Sequence, residues 1–208
     1  FEKDKVLVKK NLSKASAYFC LAEYYQKIDN DKSENYYVQA NKLIIDTHVS
    51  SIYGNQKFTK DTIKFSDKIN SKSMSNIPNN NRGNGLLFII GMPRSGTTLL
   101  ESIVSTANHC IAGGEKLFFP LECKNIIRGS GTSDIENNFF ENLGNKYLDI
   151  IEIQRKENKF YIDKLPDNYF YYKLIRTSLP GAKFLHIHRD PWDNAISIYK
   201  QNFQKDLF

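Results

Sequence analysis

Cysteine is scarce in this chain: Cys20, Cys110 and Cys123 are its three, an odd number with no C-x-x-C spacing among them. That argues against a disulfide-stapled domain and a zinc ribbon, and reads as reduced core or surface residues. Long hydrophobic runs are lacking as well. No stretch nears the roughly eighteen apolar residues of a membrane-spanning helix, and the first residues carry no apolar signal core. No membrane span is expected in these residues, and a cytoplasmic location is the default expectation. Charge of one sign is never concentrated: 29 Lys and Arg face 23 Asp and Glu, for a net +6, but the lysines are spread along the chain. Nucleic-acid binding is therefore not expected, whereas the basic surplus suits a highly anionic small ligand. The four histidines, His48, His109, His186 and His188, have no cysteine or carboxylate companions in register, so no metal is expected.

With 208 residues, 40% of them hydrophobic, the chain has enough for one α/β domain and a smaller helical piece. Residues 12–28 and 33–45 place apolar residues at helical spacing around a polar turn at 29–32, which predicts an αα-hairpin. Leu21, Ala22 and Tyr25, with Ser33, Tyr37 and Ala40, resemble one tetratricopeptide repeat whose turn is one residue short; plain helix-pair packing is the alternative. A third helix is expected within 47–69, where Ile52, Phe58, Ile63 and Phe65 repeat less regularly. Residues 70–85 are polar, rich in Asn and Ser and without periodicity, and mark a linker. Beyond it, apolar strand-like runs at 86–90, 160–162 and 184–187 alternate with helical segments at 97–106, 116–127, 135–153 and 168–176. The expected fold is a three-layer α/β/α domain of phosphate-loop type with a parallel sheet, over 86–208, preceded by a helical segment over 1–69.

The richest stretch is 86–101, LLFIIGMPRSGTTLLE, where a strand breaks at Gly91 into a loop that restarts as a helix at Thr97. Backbone N–H groups of such a loop point inward together and the new helix adds its positive end, so an anion is favoured there. The loop departs from the nucleotide-hydrolysing pattern G-x-x-x-x-G-K-[ST]: Thr97 and Thr98 follow Gly96, the lysine is absent, and the cation is Arg94 inside the loop. A guanidinium there offers bidentate contacts to an oxyanion. No Walker-type magnesium site is evident.

Residues 182–203, AKFLHIHRDPWDNAISIYKQNF, repeat the strand-then-helix design. Asp190 suits a helix cap and Pro191 the first helical position. Arg189 then falls at the sheet's carboxyl edge, with Ser197 eight residues further on, within the first turns of the helix.

GMPRSGTTLLE together with FLHIHRDPWDNAISIY resembles the sulfotransferase family that uses 3′-phosphoadenosine 5′-phosphosulfate, in particular its bacterial tetratricopeptide-linked branch, to which the tyrosylprotein sulfotransferases are related. The resemblance implies that Pro93, Arg94, Ser95, Gly96, Thr97 and Thr98 hold the 5′-phosphosulfate, and that Arg189 and Ser197 hold the 3′-phosphate. It also implies a hydroxyl-bearing acceptor, on a protein tyrosine, a sugar or a small molecule, and no metal. The family's domains continue past the second motif, so this chain, which opens at Phe1 and stops at Phe208, is expected to be a fragment open at both ends.

Two further segments carry chemistry. AGGEKLFFP places Glu115 after two glycines and five residues before Pro120, the spacing of the base proposed for the tyrosylprotein branch. A carboxylate in a partly dehydrated cleft can take the acceptor's proton; the alternative is a carboxylate that merely begins a helix. FYIDKLP puts Lys164 at a strand's carboxyl end, where the resemblance implies a cation facing the transferred sulfonate; the alternative is an exposed lysine paired with Asp163, itself read as structural. In-line displacement on the sulfonate follows, with Glu115 as base and Lys164 and Arg94 offsetting developing charge. Ser95 lacks a G-x-S-x-G elbow and is not read as a nucleophile. The alternatives are a nucleotide kinase or hydrolase built on the same loop, and a non-catalytic module engaging a protein partner through its N-terminal helices.

Overall fold

The computed structural model describes residues 2–72, 81–128, 138–154 and 159–203. Its helices are α1 (Glu2–Tyr25), α2 (Asn30–Lys72), α3 (Thr97–Ser105), α4 (Phe118–Arg128), α5 (Phe139–Ile151), α6 (Tyr172–Ser178) and α7 (Pro191–Tyr199). Two compact units are formed, one of Phe1–Thr59 with Pro191–Phe208, the other of Lys60–Asp190.

In the first unit α1 and α2 form a hairpin around Phe19, Ala22, Tyr37 and Ala40, all buried. Small residues let the helices approach: Ser33 Oγ donates to the Ala22 carbonyl at 2.7 Å, and Ser33, Ala22 and Ala40 are all buried. α7 is tied to the same hairpin. Asn41 Nδ2 donates to the Tyr199 carbonyl at 3.0 Å, and the Tyr37 and Tyr199 rings lie 6.2 Å apart.

One difference from the periodicity is instructive. The expected third helix is no separate element, because α2 runs unbroken for 43 residues. Gly54 lies inside it, and a helical glycine costs only about 1 kcal/mol relative to alanine, too little to end a helix with no proline or cap nearby. Its last turns bury Phe65 and Ile69 in the core of the second unit. Residues 70–72 of the expected linker finish α2, and 73–80 lie outside the described residues. Residues 82–85 form a turn anchored by Arg82, whose Nε donates to the Ser178 carbonyl at 2.8 Å and whose Nη1 meets Glu141 at 2.9 Å.

The second unit is built on four parallel strands, β1 (Leu86–Gly91), β2 (Cys110–Ala112), β3 (Phe160–Asp163) and β4 (Lys183–Ile187), in the spatial order β2-β3-β1-β4. Parallel pairing requires crossovers, and α3, then α4 and α5, then a 3₁₀ turn (Pro166–Tyr169) with α6 supply them. The α/β class and parallel sheet are those expected. β1 is central, and its apolar run is buried at five of six positions, the signature of a strand covered on both faces. Phe88 pairs in register with Asp163 on one side and Phe184 on the other. Its ring packs on Phe119, Tyr147 and Phe184 with centroids 6.1, 5.7 and 5.4 Å away. Truncating such a fully buried aromatic typically costs about 3–5 kcal/mol.

β2 was not foreseen: its three residues are too short to show alternation, and at the sheet edge Cys110 and Ile111 are only half-buried and Ala112 is exposed. The helix expected over 168–176 is instead the 3₁₀ turn followed by α6. Pro166 starts that turn, and no side-chain cap from Asp167 forms. Residues 129–133 of the expected Gly/Ser turn and 135–137 of the next helix lie outside the described residues.

Candidate functional site

Because the strands are parallel, β1, β3 and β4 deliver their carboxyl ends to one edge, and the residues singled out from the sequence follow directly after them. After Gly91 the chain turns through Arg94 at φ 67° and Gly96 at φ 107° before α3 begins. A left-handed arginine costs about 1–2 kcal/mol relative to the right-handed region, a penalty that residues at ligand-clamping loops commonly carry. The turn is closed by Ser95 N–H donating to Met92 O at 3.1 Å, and the first helical bond runs from Leu100 N–H to Gly96 O at 2.9 Å. Leu100 N–H is the first intrahelical donor, so the amides of Thr97 to Leu99 ahead of it face outward from the helix N-terminus. Ser95 is 8% exposed, and its buried Oγ has no hydrogen-bond partner. A buried hydroxyl left unsatisfied inside an anion-seeking loop fits a ligand oxygen there. Thr97 is buried, Pro93 half-buried, and Arg94 and Thr98 are exposed.

The second motif meets the first through its arginine. β4 pairs with β1 up to Ile187 opposite Gly91, and two residues on Arg189 donates through Nη1 to the Arg94 carbonyl at 3.1 Å. Arg189 thus adds positive charge at the loop's backbone. Ser197 is half-buried on α7, in the first unit.

Glu115 and Lys164, 49 residues apart in sequence, are brought together: Lys164 Nζ donates to Glu115 Oε1 at 2.5 Å. The lysine side chain is 8% exposed and the glutamate's 43%, so a nearly buried cation holds a carboxylate that reaches solvent. α4 begins only at Phe118, so Glu115 does not start a helix. Neither does Lys164 pair with Asp163. That carboxylate is buried and accepts from the Tyr147 hydroxyl at 2.7 Å and from Asn168 Nδ2 at 3.4 Å. Burial pushes the Asp163 carboxyl up to about 7, against the pull of the Tyr147 hydrogen bond. The Tyr147 hydroxyl is in turn pushed up by its burial and by the neighbouring Asp163 charge. Burial also raises Asp167, and the Glu115 charge adds to that rise.

Sequence reasoning missed Tyr147 and Asn168 as partners of Asp163, because a tyrosine on a helix's apolar face looks like ordinary core. Backbone contacts frame the pair: Gly113 N–H donates to Ile162 O at 2.8 Å, and Lys164 N–H to Gly114 O at 2.9 Å. A Cβ on Gly113 would lie 2.3 Å from the Tyr161 ring, so only glycine permits this approach of the turn to β3. Among the described residues no three His, Cys, Asp or Glu side chains are grouped as a metal site would require, and no helix is long and apolar enough to cross a membrane.

The model of the sulfotransferase family matches residues 87–208, more than half of the chain and the stretch that holds every group just described. The chain belongs to the sulfotransferase family. A relative of this sulfotransferase chain is an uncharacterized protein of Aquifex aeolicus (strain VF5), 32% identical over 130 residues, which cover 56% of this chain and 17% of the relative. The sulfotransferase chain thus matches less than a fifth of that relative's length.

Proposed function

We propose that this protein transfers the sulfonate of 3′-phosphoadenosine 5′-phosphosulfate to an acceptor hydroxyl by in-line displacement. The observation that carries this reading is the contact of Lys164 with Glu115 at 2.5 Å, an acid–base pair built at the carboxyl edge of the strands that also carry the anion loop. The nucleotide supplies the activated sulfonate and a stable leaving group. The residues of this chain bind, orient and move the proton. Pro93 to Thr98 form the loop that receives the 5′-phosphosulfate, on the backbone N–H groups of Arg94 to Thr98, with the buried Ser95 hydroxyl satisfied by one of its oxygens. Arg189, with Ser197, holds the 3′-phosphate.

Glu115 accepts the proton of the attacking hydroxyl as the new oxygen–sulfur bond forms. Lys164 and Arg94 offset the charge growing on the bridging oxygen as the old bond breaks. Lys164 donates to Glu115, and its ammonium has three hydrogens to share between the carboxylate and the leaving oxygen. The helical hairpin of the first unit is proposed as a tetratricopeptide-like element that engages a protein partner.

Calorimetric titration with adenosine 3′,5′-bisphosphate, set against ATP with magnesium, tests the reading. Preference for the bisphosphate, lost in an Arg189→Ala, Ser197→Ala double variant, is the expected result. Preference for ATP with magnesium would overturn it in favour of a kinase or hydrolase.

A further inference from the structure

Glu101 lies one helical turn past Thr97 on α3, and neither donor binding nor proton transfer as described requires a carboxylate there. Its Oε1 accepts the Gly114 N–H at 3.2 Å. The Gly114 carbonyl accepts the Lys164 N–H at 2.9 Å. Gly114 is therefore held from two directions, by the helix that starts at the anion loop and by the end of β3. It adopts φ 70°, a left-handed conformation that a turn reaching between those two elements demands. The next residue is Glu115, whose carboxylate meets Lys164.

We propose that Glu101 is a positioning residue for sulfonate transfer: by holding the Gly114 amide it fixes the turn that sets Glu115 opposite Lys164 and ties that turn to the helix leading from the anion loop. The physical basis is that a side-chain oxygen accepting a backbone N–H fixes where that backbone lies, and catalytic groups lose efficiency steeply when displaced by about 1 Å. The remaining backbone bonds of Gly113 and Gly114 limit the displacement, so a moderate loss is expected rather than abolition. The inference rests on reading Glu115 as the base.

The test uses water as the acceptor, so it needs no knowledge of the natural one. A water oxygen forms the bond to sulfur, the bridging sulfur–oxygen bond breaks, the proton passes to Glu115, and sulfate and adenosine 3′,5′-bisphosphate are released. Glu101→Ala is expected to lower kcat by about 10-fold with the donor KM within about 2-fold, and Glu101→Gln, which keeps an acceptor oxygen, to recover most of the rate. Glu115→Gln is run beside them. A large loss in Glu115→Gln with an unchanged Glu101→Ala overturns the positioning role alone; an unchanged Glu115→Gln overturns the catalytic reading and the positioning role with it. Equal losses in Glu101→Ala and Glu101→Gln also overturn it. If Glu101→Ala does not fold, hydrogen exchange in the wild type decides: a protected Gly114 amide is expected, and an unprotected one overturns the proposal.

Discussion

The anion loop and the Glu115–Lys164 pair sit at the same edge of one sheet, yet they are assembled by opposite means. The loop is local. Its shape comes from consecutive residues, a left-handed Arg94 and Gly96 between a buried strand and a helix, and its donors are mostly backbone. The pair is non-local. It exists only because β2 lies beside β3 in the order β2-β3-β1-β4, and because the turn after β2 is hydrogen-bonded to the end of β3. A local device withstands many changes elsewhere, whereas a non-local one fails whenever any element that frames it shifts.

That contrast predicts how each will break. The largest effect is expected in Glu115→Gln, which removes the proton acceptor but keeps the size: kcat falls by about 10²–10⁴-fold while bisphosphate affinity, measured by calorimetry, stays within a few-fold. Lys164→Ala is expected to lower kcat by about 10²–10³-fold, again with modest change in bisphosphate affinity. If either substitution weakens binding as much as turnover, the pair is not separable from the loop. Arg94→Ala should differ in kind, costing about 10-fold in donor affinity for one lost charge-assisted contact, or about 1.4 kcal/mol, in addition to a fall in kcat from the lost charge at the bridging oxygen.

The smallest effect concerns the support behind Lys164. Asp163 binds its proton more tightly when folded, at about 7, than when unfolded, at 3.8. The folded state therefore holds more protons between those values, and the associated stability is fully present below about pH 4 and lost as pH rises through about 7. Asp163→Asn is expected to flatten the fall in the urea midpoint between pH 4 and 7. An unchanged slope would show that Asp163 does not titrate in that window.

The phosphate-type loop, the parallel sheet and the helix after Pro191 were legible in the sequence because each depends on spacing within a few residues: an apolar run ended by Gly91, two threonines after Gly96, a proline at a helix start. Glu115 and Lys164 were each legible as chemistry, but their contact was not, since nothing in two segments 49 residues apart states that they face each other. β2 escaped notice because three residues at a sheet edge, none of them buried, carry no period. The continuity of α2 did too, because the apolar spacing over 47–69 is less regular than in the segments before it. Tyr147 looked like core and is core, yet its hydroxyl also satisfies Asp163 beneath the lysine.

The sequence by itself determined the strand–loop–helix that seeks an anion, the arginine that follows β4, and the α/β class, since these rest on backbone propensity, glycine and proline conformation, and apolar periodicity acting over one or two turns. Only the tertiary structure decided which carboxylate meets which lysine, that Arg189 reaches the Arg94 carbonyl, and that Gly114 is held between Glu101 and Lys164. Those contacts depend on strand order and on the burial of Phe88 and its neighbours, and burial is a property of the packed sheet, not of any segment alone.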